Sequence, residues 1–147
     1  MFLTCDVNQT HSRGFEQVKF SKEDWFNLLS ISHRYECEGA RKQSIKEINK
    51  LGSSVNNVYR IALAKRFEVE EWLVPACVAL VEREDPLALA EAHNLGFEMT
   101  VLVSKAREKY IRVRQRQGGG MGHMYNHNSL GQPTSTTQLV KDVLGIK

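Results

Sequence analysis

Two pairs of side chains in this 147-residue sequence are spaced so that they could share a metal ion. His123 and His127 lie four apart in "HMYNH", and His33 and Cys37 lie one helical turn apart. Each pair supplies two ligands where a structural zinc needs four, and no third or fourth ligand stands near His123 and His127. Glycine, asparagine and serine around His123 also disfavour the helix that would bring the two imidazoles together. Acid–base chemistry is no better served. Glu70, Glu71, Glu82, Glu84 and Asp85 bracket the apolar stretch in "EVEEWLVPACVALVERED" and read as solvated helix ends. No spacing sets a base beside a nucleophile. "GGGMGH" follows a helical pattern and precedes no striped segment, whereas a phosphate loop needs a strand before it and a helix after it. The residues therefore predict no catalytic group, no cofactor site and no metal site.

The remaining chemistry-bearing segment is "KAREKYIRVRQR". It carries Lys105, Arg107, Lys109, Arg112, Arg114 and Arg116 against a single acid, Glu108, so the rest of the chain is slightly acidic although the whole is +3. Cations near a helix C-terminus are stabilised by the helix dipole, by about 0.3–1 kcal/mol each. The alternative use is a patch for nucleic acid or chromatin, with affinity that falls steeply with salt. No zinc finger or helix-turn-helix accompanies it to read bases.

The elements that must position these groups are helices. Ser21 followed by Asp24 fits a capping box. Trp25, Leu28, Ile31 and Tyr35 then recur at helical steps, giving a first helix that ends near Tyr35. A second helix is expected from Glu38 to Leu51 with Gly52 as its stop. Ser53 or Ser54 is expected to cap a third, which runs through Arg66 and is apolar nearly all round, hence central and buried. Val69, Trp72, Leu73, Ala76, Cys77, Leu80 and Val81 define one face of a fourth. Pro75 has no amide proton and its ring clashes with the carbonyl four residues back, so a kink or restart is expected there. A short helix over Leu89–Asn94 stops near Gly96, and a long one over Phe97–Arg114 buries Met99, Leu102, Val103, Ala106, Tyr110 and Val113. "QLVKDVLGIK" is expected to form one final turn of helix, or none. No strand-turn-strand pattern follows residue 20, and no internal repeat of fixed period emerges.

Hydrophobic residues at 41% and charged residues at 25% fit an ordinary globular domain. The reading is an all-α fold, a small irregular bundle of about six helices with a disordered C-terminal tail. Residues 1–19 are a poorly ordered leader, 20–115 the helical domain, and 116–147 a flexible tail rich in Gly, Ser, Thr and Asn. Cys5, Cys37 and Cys77 are odd in number and far apart. They read as reduced thiols, with Cys37 and Cys77 in the core. No apolar run approaches the roughly 20 residues that span a bilayer, and the N-terminus lacks the pattern of a signal peptide. The expected location is cytoplasm or nucleus.

Two stretches resemble a known family. "EDWFNLLSISHRYECEGARKQSI" and "IALAKRFEVEEWLVPACVALVEREDPLALAEAHNLGFEMTVLVSKARE" are similar to the C-terminal part of fungal BTB/POZ domain proteins. Trp25, Leu28, Leu29, Tyr35, Glu36, Arg41 and Ile45 carry the first part. Ile61, Ala62, Leu63, Ala64, Trp72, Leu73, Pro75, Ala76, Arg83, Glu84, Pro86, Leu87, Gly96 and Ala106 carry the second. The resemblance covers about residues 20–110 and implies a helical extension that follows the family's BTB core. That core, with its strands and dimer-forming helices, has no counterpart here. The implied role is an adaptor-like protein-interaction module without enzymatic activity. Apolar residues that would have packed on the core, Trp25, Phe26, Leu29 and Ile31, are then expected at a partner interface. The expected partners are one or more proteins or further copies of the chain, with nucleic acid as a weaker candidate and no membrane.

Overall fold

The computed structural model describes residues 19–118 and 135–146. Among them are seven α-helices and no strand: α1 (Lys22–Arg34), α2 (Glu38–Lys50), α3 (Asn57–Arg66), α4 (Glu70–Glu82), α5 (Leu89–Leu95), α6 (Phe97–Gly118) and α7 (Thr136–Leu144). The all-α expectation holds. The chain forms two compact units that divide between Val55 and Asn56.

The first unit is a helical hairpin of α1 on α2. Its start is fixed locally by the expected capping box. The Ser21 hydroxyl accepts from the Asp24 amide at 3.2 Å, and the Asp24 carboxylate accepts from the Ser21 amide at 2.8 Å. The Ser21 amide, and after it the Ser21 side chain, hold the Asp24 carboxyl below its usual range. Glu36 ends α1 by turning left-handed at φ 53°, and the Cys37 amide reaches back to the Ser32 carbonyl at 2.9 Å. Leu29 and Ile48 are fully buried, and Ser32 and Ser44 are buried with their hydroxyls donating to the Leu29 and Ala40 carbonyls.

The second unit opens the same way. Asn56, not Ser53 or Ser54, caps α3: its side chain accepts from the Val58 amide at 2.8 Å. The two serines lie in a 3₁₀ turn over Gly52–Ser54 that ends the first unit. Only the Val58, Ile61, Leu63 and Ala64 sides of α3 are buried; Tyr59 is exposed, so the helix is not enclosed all round. Glu68 then repeats the closure of α1, with φ 53° and the Val69 amide on the Ala64 carbonyl at 3.0 Å. "RYECE" at 34–38 and "RFEVE" at 66–70 are thus the same helix–corner–helix joint, 32 residues apart. The joint recurs once, which sets no fixed period. Aliphatic and aromatic exchanges on either side of the glutamates mask the match.

Pro75 does not restart α4, which is continuous from Glu70 to Glu82. The ring points to solvent. The helix accepts the loss of one amide donor because Trp72, Ala76, Cys77, Leu80 and Val81 anchor its opposite side in the core. That core gathers Val58 and Ile61 from α3, the α4 stripe, Leu95 from α5, and Met99, Val103 and Ala106 from α6. Leu139 and Val140 of α7 complete it. The terminal segment is therefore a nine-residue helix and not a single turn. The Ser135 hydroxyl accepts from the Gln138 amide at 3.2 Å at one end, and Gly145 closes the other at φ 70°. The leader before residue 19 and the linker character assigned to 119–134 fall outside the described residues.

Candidate functional site

The expected apolar interface on α1 is only partly present as a surface. Leu29 is fully buried and is removed from it, because its side of α1 faces α2 and the unit's small core. Trp25 and Phe26 are half-buried. Phe20 stacks on Trp25 with ring centroids 4.8 Å apart, and Lys22 lies over the Phe26 ring at 6.0 Å. Ile31 is 54% exposed. Sequence reasoning omitted two residues that belong with it: Phe20, half exposed, and Tyr35, 68% exposed and one turn after Ile31.

The basic segment of α6 separates into two faces. Lys105, Lys109, Arg112 and Arg116 follow steps of four, three and four, which puts them along one side of a helix with 3.6 residues per turn. All four are exposed. Arg107 turns away from them. Its guanidinium donates to the carbonyls of Asp85 at 2.9 Å, Leu80 at 3.4 Å, and Glu84. It is thereby spent as a cap on the last turn of α4 and leaves the nucleic-acid set. Arg114 lies on the Arg107 side and lines an open groove of about 470 Å³ with Val81, Tyr110 and Ile111. On the other side, Lys109, Arg112 and Arg116 border a groove of about 280 Å³ that has Val113, Leu139 and Asp142 in its walls.

The turn between α4 and α5 is held by a second arginine. Arg83 grips Glu91 through both carboxylate oxygens, and also donates to the carbonyls of Asp85 at 3.0 Å and Pro86 at 3.1 Å. The Ala88 amide adds a bond to Glu91 at 2.9 Å. The arginine bonds, then this amide, hold the Glu91 carboxyl down at about 2, where a glutamate ordinarily titrates near 4.5. A perturbed acid in a cleft is a catalytic signature. Here both oxygens are consumed by structural donors, so the shift marks a clamp.

Among the described residues no group of three or more His, Cys, Asp or Glu is placed to hold a metal ion. His123, His127 and Cys5 lie outside the description. Cys77 is buried, and burial pushes its thiol up to about 11; Cys37 is half-buried at the start of α2 rather than a core residue. Trp72 is core, with Arg60 over its ring at 5.8 Å. No helix among the described residues is long and apolar enough to cross a membrane.

Among the described residues, the most exposed large apolar side chains escaped the sequence reading. Leu89 and Phe97 are each 88% exposed, and Val101, one turn after Phe97, is 48% exposed. The signal was available, since 97 and 101 stand opposite the buried Met99–Val103–Ala106 stripe on a helical wheel. Comparison with protein-family models, curated proteins and solved structures finds no match for the chain.

Proposed function

We propose that this protein is a non-enzymatic helical docking module that binds another protein through apolar side chains on the outside of its helices. The observation that carries this reading is in the first unit, where Phe20 before α1, Ile31 within it and Tyr35 just after it are exposed. A hairpin of this size buries little of its own apolar surface, which leaves these side chains available to a partner. Aromatic residues on a rigid helix lose little conformational freedom on binding, which is why they anchor interfaces. The same role is implied by the resemblance of residues 20–110 to the helical extension of BTB/POZ proteins, and it is the only property taken from it.

The test is site-specific photo-cross-linking in cells that express the full chain. A benzophenone side chain at Ile31 or Tyr35 is expected to trap one discrete protein, whereas the same group at exposed Lys42 traps none. Equal, diffuse labelling from all three positions would remove the docking role from α1.

A further inference from the structure

We infer that the outward face of α6 seats an acidic segment of a partner protein, one that carries an apolar anchor at one end and spaced carboxylates along the rest. This rests on the docking reading above and names the chemistry of a partner at a second surface. The 22 residues of α6 have one side in the core, at Met99, Val103 and Ala106, and leave the opposite side uncovered along its length. That open side has two halves. The first contains Phe97 and Val101, with Leu89 on neighbouring α5 also exposed. The second contains Lys105, Lys109, Arg112 and Arg116. At a rise of about 1.5 Å per residue, the cations extend over about 16 Å.

The acids on this side are already engaged. Glu98 bonds Lys65 of α3 at 3.1 Å, and Glu108 meets Arg112 at 3.4 Å. Asp142, in the wall of the adjoining groove, accepts from Gln138 at 2.8 Å. Gln138 is neutral and leaves Asp142 its charge, and Glu108 offsets Arg112, so four cations against two carboxylates leave a smaller positive excess on the second half. The dipole of α6 accounts for cations in its last turn, but its effect fades within that turn and leaves Lys105 and Lys109 unexplained.

Complementarity selects the occupant. A nucleic acid would use the four cations and could stack a base on Phe97, but it would leave the aliphatic Leu89 and Val101 without a partner. An anionic bilayer favours apolar and basic groups on opposite sides of one long moment. On α6 they follow one another end to end. A peptide segment with a leucine or phenylalanine near one end and glutamates or aspartates at helical spacing matches both halves in order.

Fluorescence anisotropy with the full chain tests this. The probe is a labelled synthetic peptide with Leu and Phe at one end and four glutamates at the spacing of Lys105, Lys109, Arg112 and Arg116. Saturable binding is expected, weakened about tenfold or more by the Arg112→Glu/Arg116→Glu pair and by Phe97→Ser, and weakened by added salt. These positions are exposed, so the variants should keep the parent's circular dichroism and urea midpoint. Three results would overturn the inference: no binding, binding indifferent to both variants, or a peptide with lysines in place of glutamates binding equally well. Displacement of the peptide by duplex DNA or phosphatidylserine vesicles at lower concentration would assign the face to those ligands and overturn it too. A chain that cross-links through α1 yet ignores the peptide keeps its docking role and loses this partner assignment alone.

Discussion

Arg83 and Glu91 meet as a two-pronged ion pair across the turn that joins α4 to α5, with Nη1 2.8 Å from Oε1 and Nη2 on Oε2. Eight residues separate them, and the turn between contains Asp85-Pro86, which cannot continue a helix. The pair converts that break into a fixed corner and so sets where α5 begins.

The pair makes stability depend on acid. Folding lowers the Glu91 carboxyl from about 4.5 to about 2. A depressed carboxyl contributes stability that is complete above its unfolded value and fades as pH falls through the folded one. The loss should therefore run from just above pH 4.5 down to about 2. Both side chains touch solvent, so the contribution is about 1 kcal/mol. Urea midpoints of the parent and Glu91→Gln should differ at neutral pH and converge toward pH 2. A constant difference across that range would assign the stabilisation to shape and not to charge.

Arg107 should resist conservative replacement. Its planar fork reaches the Asp85, Glu84 and Leu80 carbonyls together, whereas a lysine offers one point charge. Charged hydrogen bonds of this kind contribute about 1.5–3 kcal/mol. Arg107→Lys and Arg107→Ala are expected to lose similar amounts in urea unfolding. Lys105→Ala, two residues away and exposed, should stay within about 0.5 kcal/mol of the parent.

Glu36 and Glu68 both sit left-handed, where a Cβ costs about 1–2 kcal/mol and glycine is free of that cost. Glycine loses more chain entropy on folding, so the net gain from Glu36→Gly or Glu68→Gly should be about 0.5–1 kcal/mol. Thermal midpoints of the two single variants and the double should rise in steps. A fall would show that the glutamate side chains hold the corners by contacts that outweigh backbone strain.

Leu139 is expected to behave as a core residue. Leu139→Ala should cost about 2–3 kcal/mol, in the range for a buried leucine that leaves a cavity. Thr137→Ala, exposed on the same helix, should change stability by less than about 0.5 kcal/mol. Equal effects would mean that α7 adds nothing to the second unit's stability.

Much of the fold is legible because periodicity and capping are local. Ser21 and Asp24 sit three apart and fix α1; the α4 stripe falls on the buried side nearly residue for residue. The failures have physical causes. Pro75 was read from its missing amide, yet the core contacts of Trp72 and Leu80 on either side outweigh one absent bond. α7 was hidden because four apolar positions, Leu139, Val140, Val143 and Leu144, follow a long polar stretch and show too few turns to stand out. Propensity also cannot reveal Arg107's role, since its carbonyl partners lie 22 to 27 residues upstream. On α1, Ile31 is outside and Leu29 is not. A helix's wet and dry sides meet at a boundary that only its neighbour defines, and α2 draws that boundary through Leu29.

The placement of Leu139 and Val140 has a consequence for biosynthesis. They emerge from the ribosome after every other member of the core they join, the nearest of which is Ala106. Until then the sides of α4 and α6 that α7 will pack against are made but unroofed. In that interval the nascent chain presents a greasy trough to chaperones, and slow translation of the intervening stretch would lengthen the exposure.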